Sequence, residues 1–253
     1  MRLLSFWRPG FGAVAVSGPT VTDSTALVTA SFATDRPRRY DLIAFDWDGT
    51  LFDSTALIVG CIQDAVRDVG GQAPSRERAA WVIGMGLAQA LAHAAPDVPP
   101  ERQPLLVERY RHHWFARQHE VTLFDGVLPL LTDLRGRGHR LAVATGKSRR
   151  GLDVALQTVA LHGVFDASRT AEETAGKPDP QMLLELMAEF DVPPERTLMI
   201  GDTTHDLQMA RNAGCAAVAV TYGAHAHEDL RSLQPAFVAH TVADLHAWLR
   251  AHA

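Results

Sequence analysis

A parallel α/β sheet carrying an all-helical insertion is the fold class this sequence predicts. Three observations predict it. From about residue 125 onward, short apolar runs alternate with stretches of helical spacing, the pattern of βαβ units. Ahead of that, residues 55–124 show helical periodicity and breaks but no convincing strand. At 253 residues the chain is long enough for one large core and a small second domain.

Each element follows from its own stretch. Residues 1–38 are rich in Ala, Ser, Thr, Val and Gly without a helical period, and they read as a disordered N-terminal extension. The first strand is expected at about 40–46, in "YDLIAFD". "TALIVGCIQDAVRDVG" (55–70) spaces its apolar residues as a helix does and stops at glycine. More helices follow, with breaks at Pro74, Gly84, Pro96 and "VPPERQP". Then come "VLPLLTDLRGRG" as helix, "HRLAVATG" as strand, a further helix, and a short strand near "VFDASR". "DPQMLLELMAEF" reads as helix, "RTLMIGD" as strand, "HDLQMARNAG" as helix and "CAAVAVTYG" as strand. The core is therefore expected over 39–54 and 125–253, with the helical insertion over 55–124.

Composition narrows the function. A net charge of −5 argues against a nucleic-acid partner, which needs a basic patch. No apolar run approaches the 18 or so residues of a membrane span. "MRLLSFW" resembles the start of a signal peptide, but Arg8 and Pro9 cut its apolar run short. Cys61 and Cys215 lie in apolar contexts without metal-type spacing, so a reducing, cytoplasmic setting is expected. Of 24 basic residues only Lys147 and Lys177 are lysine, which sharpens the position of both.

In parallel sheets, chemistry sits beyond the carboxyl ends of the strands. The polar motifs fall there. Asp46 and Asp48 follow the first strand, Thr145 and Gly146 the second, and Asp202 a later one, with Asp206 four residues on. Lys177 sits in "AGKPDP", a loop before a helix. Rival readings fail on spacing. A calcium loop starting at Asp46 needs glycine at its sixth position and glutamate at its twelfth, where Leu51 and Leu57 stand. A P-loop ending at "GKS" needs its first glycine at Leu141. The plain alternative for Asp202 and Asp206 is a helix N-cap and a first-turn acid. Asp46, Asp48 and Asp202, left bare at one sheet edge, would repel one another. A hard divalent cation with oxygen ligands resolves that, and magnesium beside a bound phosphate fits. Thr145 offers a hydroxyl and Lys177 a point charge, both suited to a phosphoryl group.

The motifs "DWDGT", "VATG", "GKPDP" and "IGDTTHD", in that order over residues 40–223, resemble the haloacid dehalogenase-like (HAD) hydrolase superfamily. The phosphoglycolate-phosphatase-like members look nearest. Those often carry asparagine after the Ser/Thr of the second motif, where this chain has Gly146 and then Lys147. The resemblance implies a Rossmann-like core and a small helical cap. It implies that Asp46 is the nucleophile, that Mg2+ is held by the side chains of Asp46 and Asp202 and the carbonyl of Asp48, and that Thr145, Gly146 and Lys177 hold the phosphate. Asp48 would be the acid and base, with neighbouring carboxylates as its charge environment, and Asp206 would fix Lys177 or a metal-bound water.

The substrate expected is a small phosphate ester, hydrolysed by a monomer or homodimer. A dehalogenase on this fold lacks the second aspartate. A phosphonatase needs a cap lysine, and 55–124 contains none. A β-phosphoglucomutase-like transferase keeps the same core residues, and a non-catalytic scaffold would be free to lose Asp46 or Asp48. Within the insertion, Gly84, Met85 and Gly86 sit at a helix junction and are candidates for substrate specificity. His112, His113 and His119 read as surface or packing residues, since neither of the adjacent pair has a partner four residues on. Residues near 53–55 and 122–126 are the expected hinges.

Overall fold

Four consecutive buried residues, Leu42–Phe45, become the middle of the sheet (β1). In this computed structural model the described residues are 38–159 and 161–253. The extension expected over 1–38 lies outside them, Arg38 excepted. The remaining strands are β2 (Arg140–Thr145), β3 (Ala167–Thr170), β4 (Thr197–Gly201), β5 (Ala216–Val220) and β6 (Phe237–Ala239). All pair in parallel, in the order β3-β2-β1-β4-β5-β6. A strand with neighbours on both edges and helices on both faces reads as an unbroken apolar run, as "LIAF" does. From β1 the chain works outward through β2 and β3, then returns to build the other half from β4. The reversal lies between β1 and β4, where an open crevice forms.

Between β1 and β2 come α1 (Thr55–Asp68), α2 (Arg76–Trp81), α3 (Leu87–Ala94) and α4 (Gln103–Arg117), and no strand is inserted among the described residues. Helix α4 packs on α1 and α3. Leu91 and Leu106 are fully buried there. The two connections to the sheet are tied to each other, Asp53 N donating to Thr122 O at 2.8 Å and Phe124 N to Leu51 O at 3.0 Å. The expected hinge segments are thus hydrogen-bonded neighbours.

Six more helices follow: α5 (Val127–Gly136), α6 (Arg149–Thr158), α7 (Gln181–Phe190), α8 (Thr204–Asn212), α9 (His227–Ser232) and α10 (Val242–His252). The two-residue strand period sorts the sheet. Ile43, Phe45, Val143 and Ile200 pack with Leu130 and Leu134 of α5 and Leu249 of α10. Leu42, Ala44, Ala142 and Ala144 face Met182 and Leu186 of α7 and Met209 of α8. Small residues on that second face let its helices approach closely.

Strand ends differ from expectation by one to three residues. β1 is Leu42–Phe45 rather than 40–46, although Asp46 N still donates to Ile200 O at 2.9 Å. β6, only three residues long, escapes a reading by periodicity, because three residues cannot establish a period.

Candidate active site

Asp46 and Asp202 leave neighbouring strands at the crevice, because Phe45 lies level with Ile200 in the sheet. After Asp46 the chain turns sharply, with Trp47 O accepting from the backbone N of Leu51 and of Phe52, each at 3.0 Å. Gly49 makes this turn with φ of 85°, and a Cβ there would collide with the Asp202 carboxylate. Glycine is required on both counts. The turn is then tied to the other strand: Thr50 Oγ1 donates to Asp202 Oδ1 at 2.8 Å, while Ala224 N donates to Asp202 Oδ2 at 2.7 Å.

Asp206 joins this pair. Asp46, Asp202 and Asp206 are all buried, and one oxygen of each lies within 4.8 Å of the others. Lys177, 1% exposed, is the cation among them. Its Nζ is paired with Asp46 Oδ1 and lies 2.7 Å from Asp206 Oδ1. Burial alone would pull the Lys177 ammonium down, but Asp206 and Asp46 overcome it and hold its pKa above the usual lysine range. One ammonium cannot balance three carboxylates. Burial pushes Asp46 up to about 7 against the pull of Lys177. Burial, then Asp46 and Asp206, hold Asp202 well above the ordinary carboxylate range. Asp46 Oδ2 is buried with no partner at all. An orphaned oxygen in an over-acidic, all-oxygen cluster is what a hard divalent cation would satisfy, so the residues fit one.

The plain alternative for the second pair of acids is half met. The N-cap of α8 is Thr203, not Asp202, and Asp206 closes a capping box with it. Thr203 N and Oγ1 donate to Asp206 Oδ2 at 3.1 and 2.6 Å. Asp206 therefore uses one oxygen for the helix and the other for Lys177.

Thr145 ends β2, buried, and its Oγ1 accepts from Lys147 N at 3.2 Å. Lys147 then reaches across the crevice. Its Nζ is 2.9 Å from Asp48 Oδ2 and 4.4 Å from the centre of the Trp114 ring on α4. The other oxygen, Asp48 Oδ1, accepts from Ser54 Oγ at 2.6 Å. Asp48 is thus held by a hydroxyl and a cation, while its charge still acts on Asp46. Its carboxylate stays out of the acidic cluster. Ser54 stands at the N-cap of α1 without making the capping bond, so its hydroxyl serves Asp48 instead of the helix.

A cavity of about 110 Å³ opens over Asp46, Asp48, Thr145, Gly146 and Lys147. The helical insertion supplies its far wall, including Ile58, Ile62, Ile83, Leu91, Tyr110 and Trp114. Gly84 and Met85 line it as well, whereas Gly86 caps α3 and sits beside Ala171. Gly146 lies under this loop. A Cβ on it would come within 2.5 Å of Met85 O and 2.6 Å of Gly84 O, so a side chain here would lift the insertion off the core. The same loop is held from behind, where Trp81 O accepts from His205 Nε2 at 3.0 Å and His225 Nε2 at 2.9 Å. His113 pairs with Asp68 at 2.8 Å, and His112 and His119 are exposed.

Sequence reasoning did not assign Lys147, Ser54, Thr50, His205 or His225. Only Lys147 left a signal, as one of the chain's two lysines.

Comparisons with known proteins agree with this geometry. The family model described as haloacid dehalogenase-like hydrolase matches residues 43–220. "Probable phosphatase IndB" of Dickeya dadantii is 34% identical over 209 residues, which are 81% of this chain and 91% of that protein. A phosphoglycolate phosphatase of Vibrio cholerae is 33% identical over 213 residues, 81% of this chain and 94% of that one. Among solved structures, a hydrolase from Pseudomonas syringae superposes with a TM-score of 0.77 at 23% identity, covering 84% of this chain and 99% of that one.

Proposed function

The chain belongs to the haloacid dehalogenase-like hydrolases, and we propose that it is a magnesium-dependent phosphatase working through a phosphorylated Asp46. The observation that carries this reading is the buried, partnerless Asp46 Oδ2 beside Lys177. That oxygen has no partner within the protein, and Asp46 lines the cavity where a phosphate would sit. Phosphate monoesters hydrolyse extremely slowly unaided, so positioning and charge must carry the catalysis.

In the first step a carboxylate oxygen of Asp46 bonds to phosphorus and the ester P–O bond breaks, with Asp48 giving the leaving alkoxide its proton. In the second step Asp48 takes a proton from water as the water oxygen bonds to phosphorus and the bond to Asp46 breaks. Two easier steps replace a hard one. Lys177 and the Thr145 hydroxyl hold the transferring oxygens, and Asp206 keeps Lys177 in place. Ser54 orients Asp48. Bound by Asp46, Asp202 and the carbonyl of Asp48, magnesium would neutralise the charge between nucleophile and phosphate.

We read residues 39–54 and 125–253 as the catalytic core and 55–124 as its cap. Phosphoglycolate is the leading substrate, a choice supported by the Vibrio cholerae relative. Two free thiols fit a cytoplasmic setting. No described helix is long and apolar enough to cross a membrane.

The test is phosphate release from a panel of small monoesters with magnesium, using Asp46→Asn as control. Turnover should fall at least about 10⁴-fold in the variant. Retention of wild-type turnover by Asp46→Asn would remove the nucleophile from this account.

A further inference from the structure

Lys147 lines the cavity, and the mechanism above leaves its ammonium unused. It is largely buried, carries a full charge, and lines the cavity opposite an apolar wall. Its ammonium has three donors. One goes to Asp48 Oδ2, and a second side rests on the Trp114 face. Arg111 also lines the cavity but is solvent-exposed at the rim. Lys147 is therefore the inner cation available to a leaving group. It also occupies the Asp48 oxygen that Ser54 does not hold, so both oxygens of that carboxylate are engaged.

From these contacts we infer that Lys147 is the specificity-determining residue of the site. An anionic group on the leaving side of the substrate draws the Lys147 ammonium from Asp48 Oδ2, and that oxygen then meets the ester oxygen. This rests on the reading of Asp46 as nucleophile and Asp48 as acid. Distance sets which anions qualify. An ester oxygen within hydrogen-bond reach of Asp48 lies no more than about 6 Å from the ammonium. A carboxylate one or two carbons beyond the ester oxygen spans that gap. A longer, hydroxyl-rich leaving group would instead press unpaired polar atoms against Ile58, Ile62 and Leu91. The lysine thus ties recognition of the leaving group to release of the acid, and a substrate with an uncharged leaving group leaves the Lys147–Asp48 pair closed.

The experiment compares kcat/KM for phosphoglycolate and for 2-hydroxyethyl phosphate, whose leaving group has the same chain length but no carboxylate. Para-nitrophenyl phosphate, whose leaving group needs no proton, is the third substrate. The wild-type protein should favour phosphoglycolate by about 10- to 100-fold, the range of one charge-assisted hydrogen bond. In Lys147→Met, whose unbranched apolar chain can still rest on Trp114, that ratio should fall below about 3. Part of the change should appear in kcat, because Asp48 is involved. Equal losses on all three substrates would overturn the proposal and make Lys147 a general support. A wild-type protein without preference would overturn it too, independently of how the variant folds. Failure of the wild-type protein to hydrolyse any of the three would instead overturn the phosphatase reading itself.

Discussion

The two walls of the cavity are built on opposite principles. The sheet side concentrates charge: Asp46, Asp202, Asp206 and Lys177 are all buried within a few ångströms of one another. The insertion side is apolar apart from its rim, and it touches the core through the Gly84–Met85 carbonyls over Gly146 and through Trp114 over Lys147. Charge in a dry site is costly, and here two strand ends, the capped start of α8 and the loop before α7 hold it in place. An apolar wall carries no such cost, so it can be shaped by leaving-group fit alone. On the proposed reading, reaction chemistry lies on one wall and selection on the other, and Lys147 is where they meet.

The largest expected effect breaks the charged wall. Lys177→Met would leave Asp46 and Asp206 without their cation in a dry site. Breaking a buried pair on one side costs about 3–5 kcal/mol, or roughly 10 °C in a chain of this size. Turnover should fall about 10³-fold or more as well. Thermal unfolding and phosphate release measure both, and a variant as stable as the parent would mean the cluster is not charged as described.

Next comes pH. Burial raises Asp46 to about 7 and Asp202 above the ordinary range. Between about 4 and 7 the folded, metal-free protein keeps protons that the unfolded chain has released. These groups therefore lower stability as pH rises through that window. The expected size is on the order of 4 kcal/mol, from about three pKa units at Asp46. Magnesium should act in the opposite sense, stabilising more at pH 8 than at pH 5, because its ligands must be deprotonated. Melting curves with EDTA and with magnesium at the two pH values test this, with Asp46→Asn expected to flatten the metal-free slope. A metal-free slope of the opposite sign, unchanged in the variant, would break the account.

The smallest effect sharpens the contact between the walls. Gly146→Ala places a Cβ against two backbone carbonyls that cannot rotate away. The insertion loop must shift, at a cost of about 1–2 kcal/mol. A fall of about 10-fold in kcat/KM should accompany it, with little loss at the charged wall. Unchanged kinetics would show that this loop does not shape the site.

Much of the charged wall was legible in the sequence because it sits at strand ends. An unbroken apolar run ending in Asp46 or Asp202 announces both the strand and where its last side chain points. Lys177 was legible from its motif, and Asp206 from its spacing. The Lys147–Asp48 pair was not, because it joins residues 99 positions apart on loops after different strands. Ser54 carried no assignment, and only the fold shows its hydroxyl turned to Asp48. Gly146 looked like a departure from relatives with asparagine, and its reason is a backbone from the insertion passing overhead.

By itself, then, the sequence determined the periodic elements and the residue types waiting at their ends, since both depend on local spacing and burial. The tertiary structure decided which charges face each other. Strand order placed Asp46 beside Asp202, and the return of the insertion over the crevice placed Trp114 on Lys147. Electrostatics and close packing act through space, over distances that spacing along the chain does not encode.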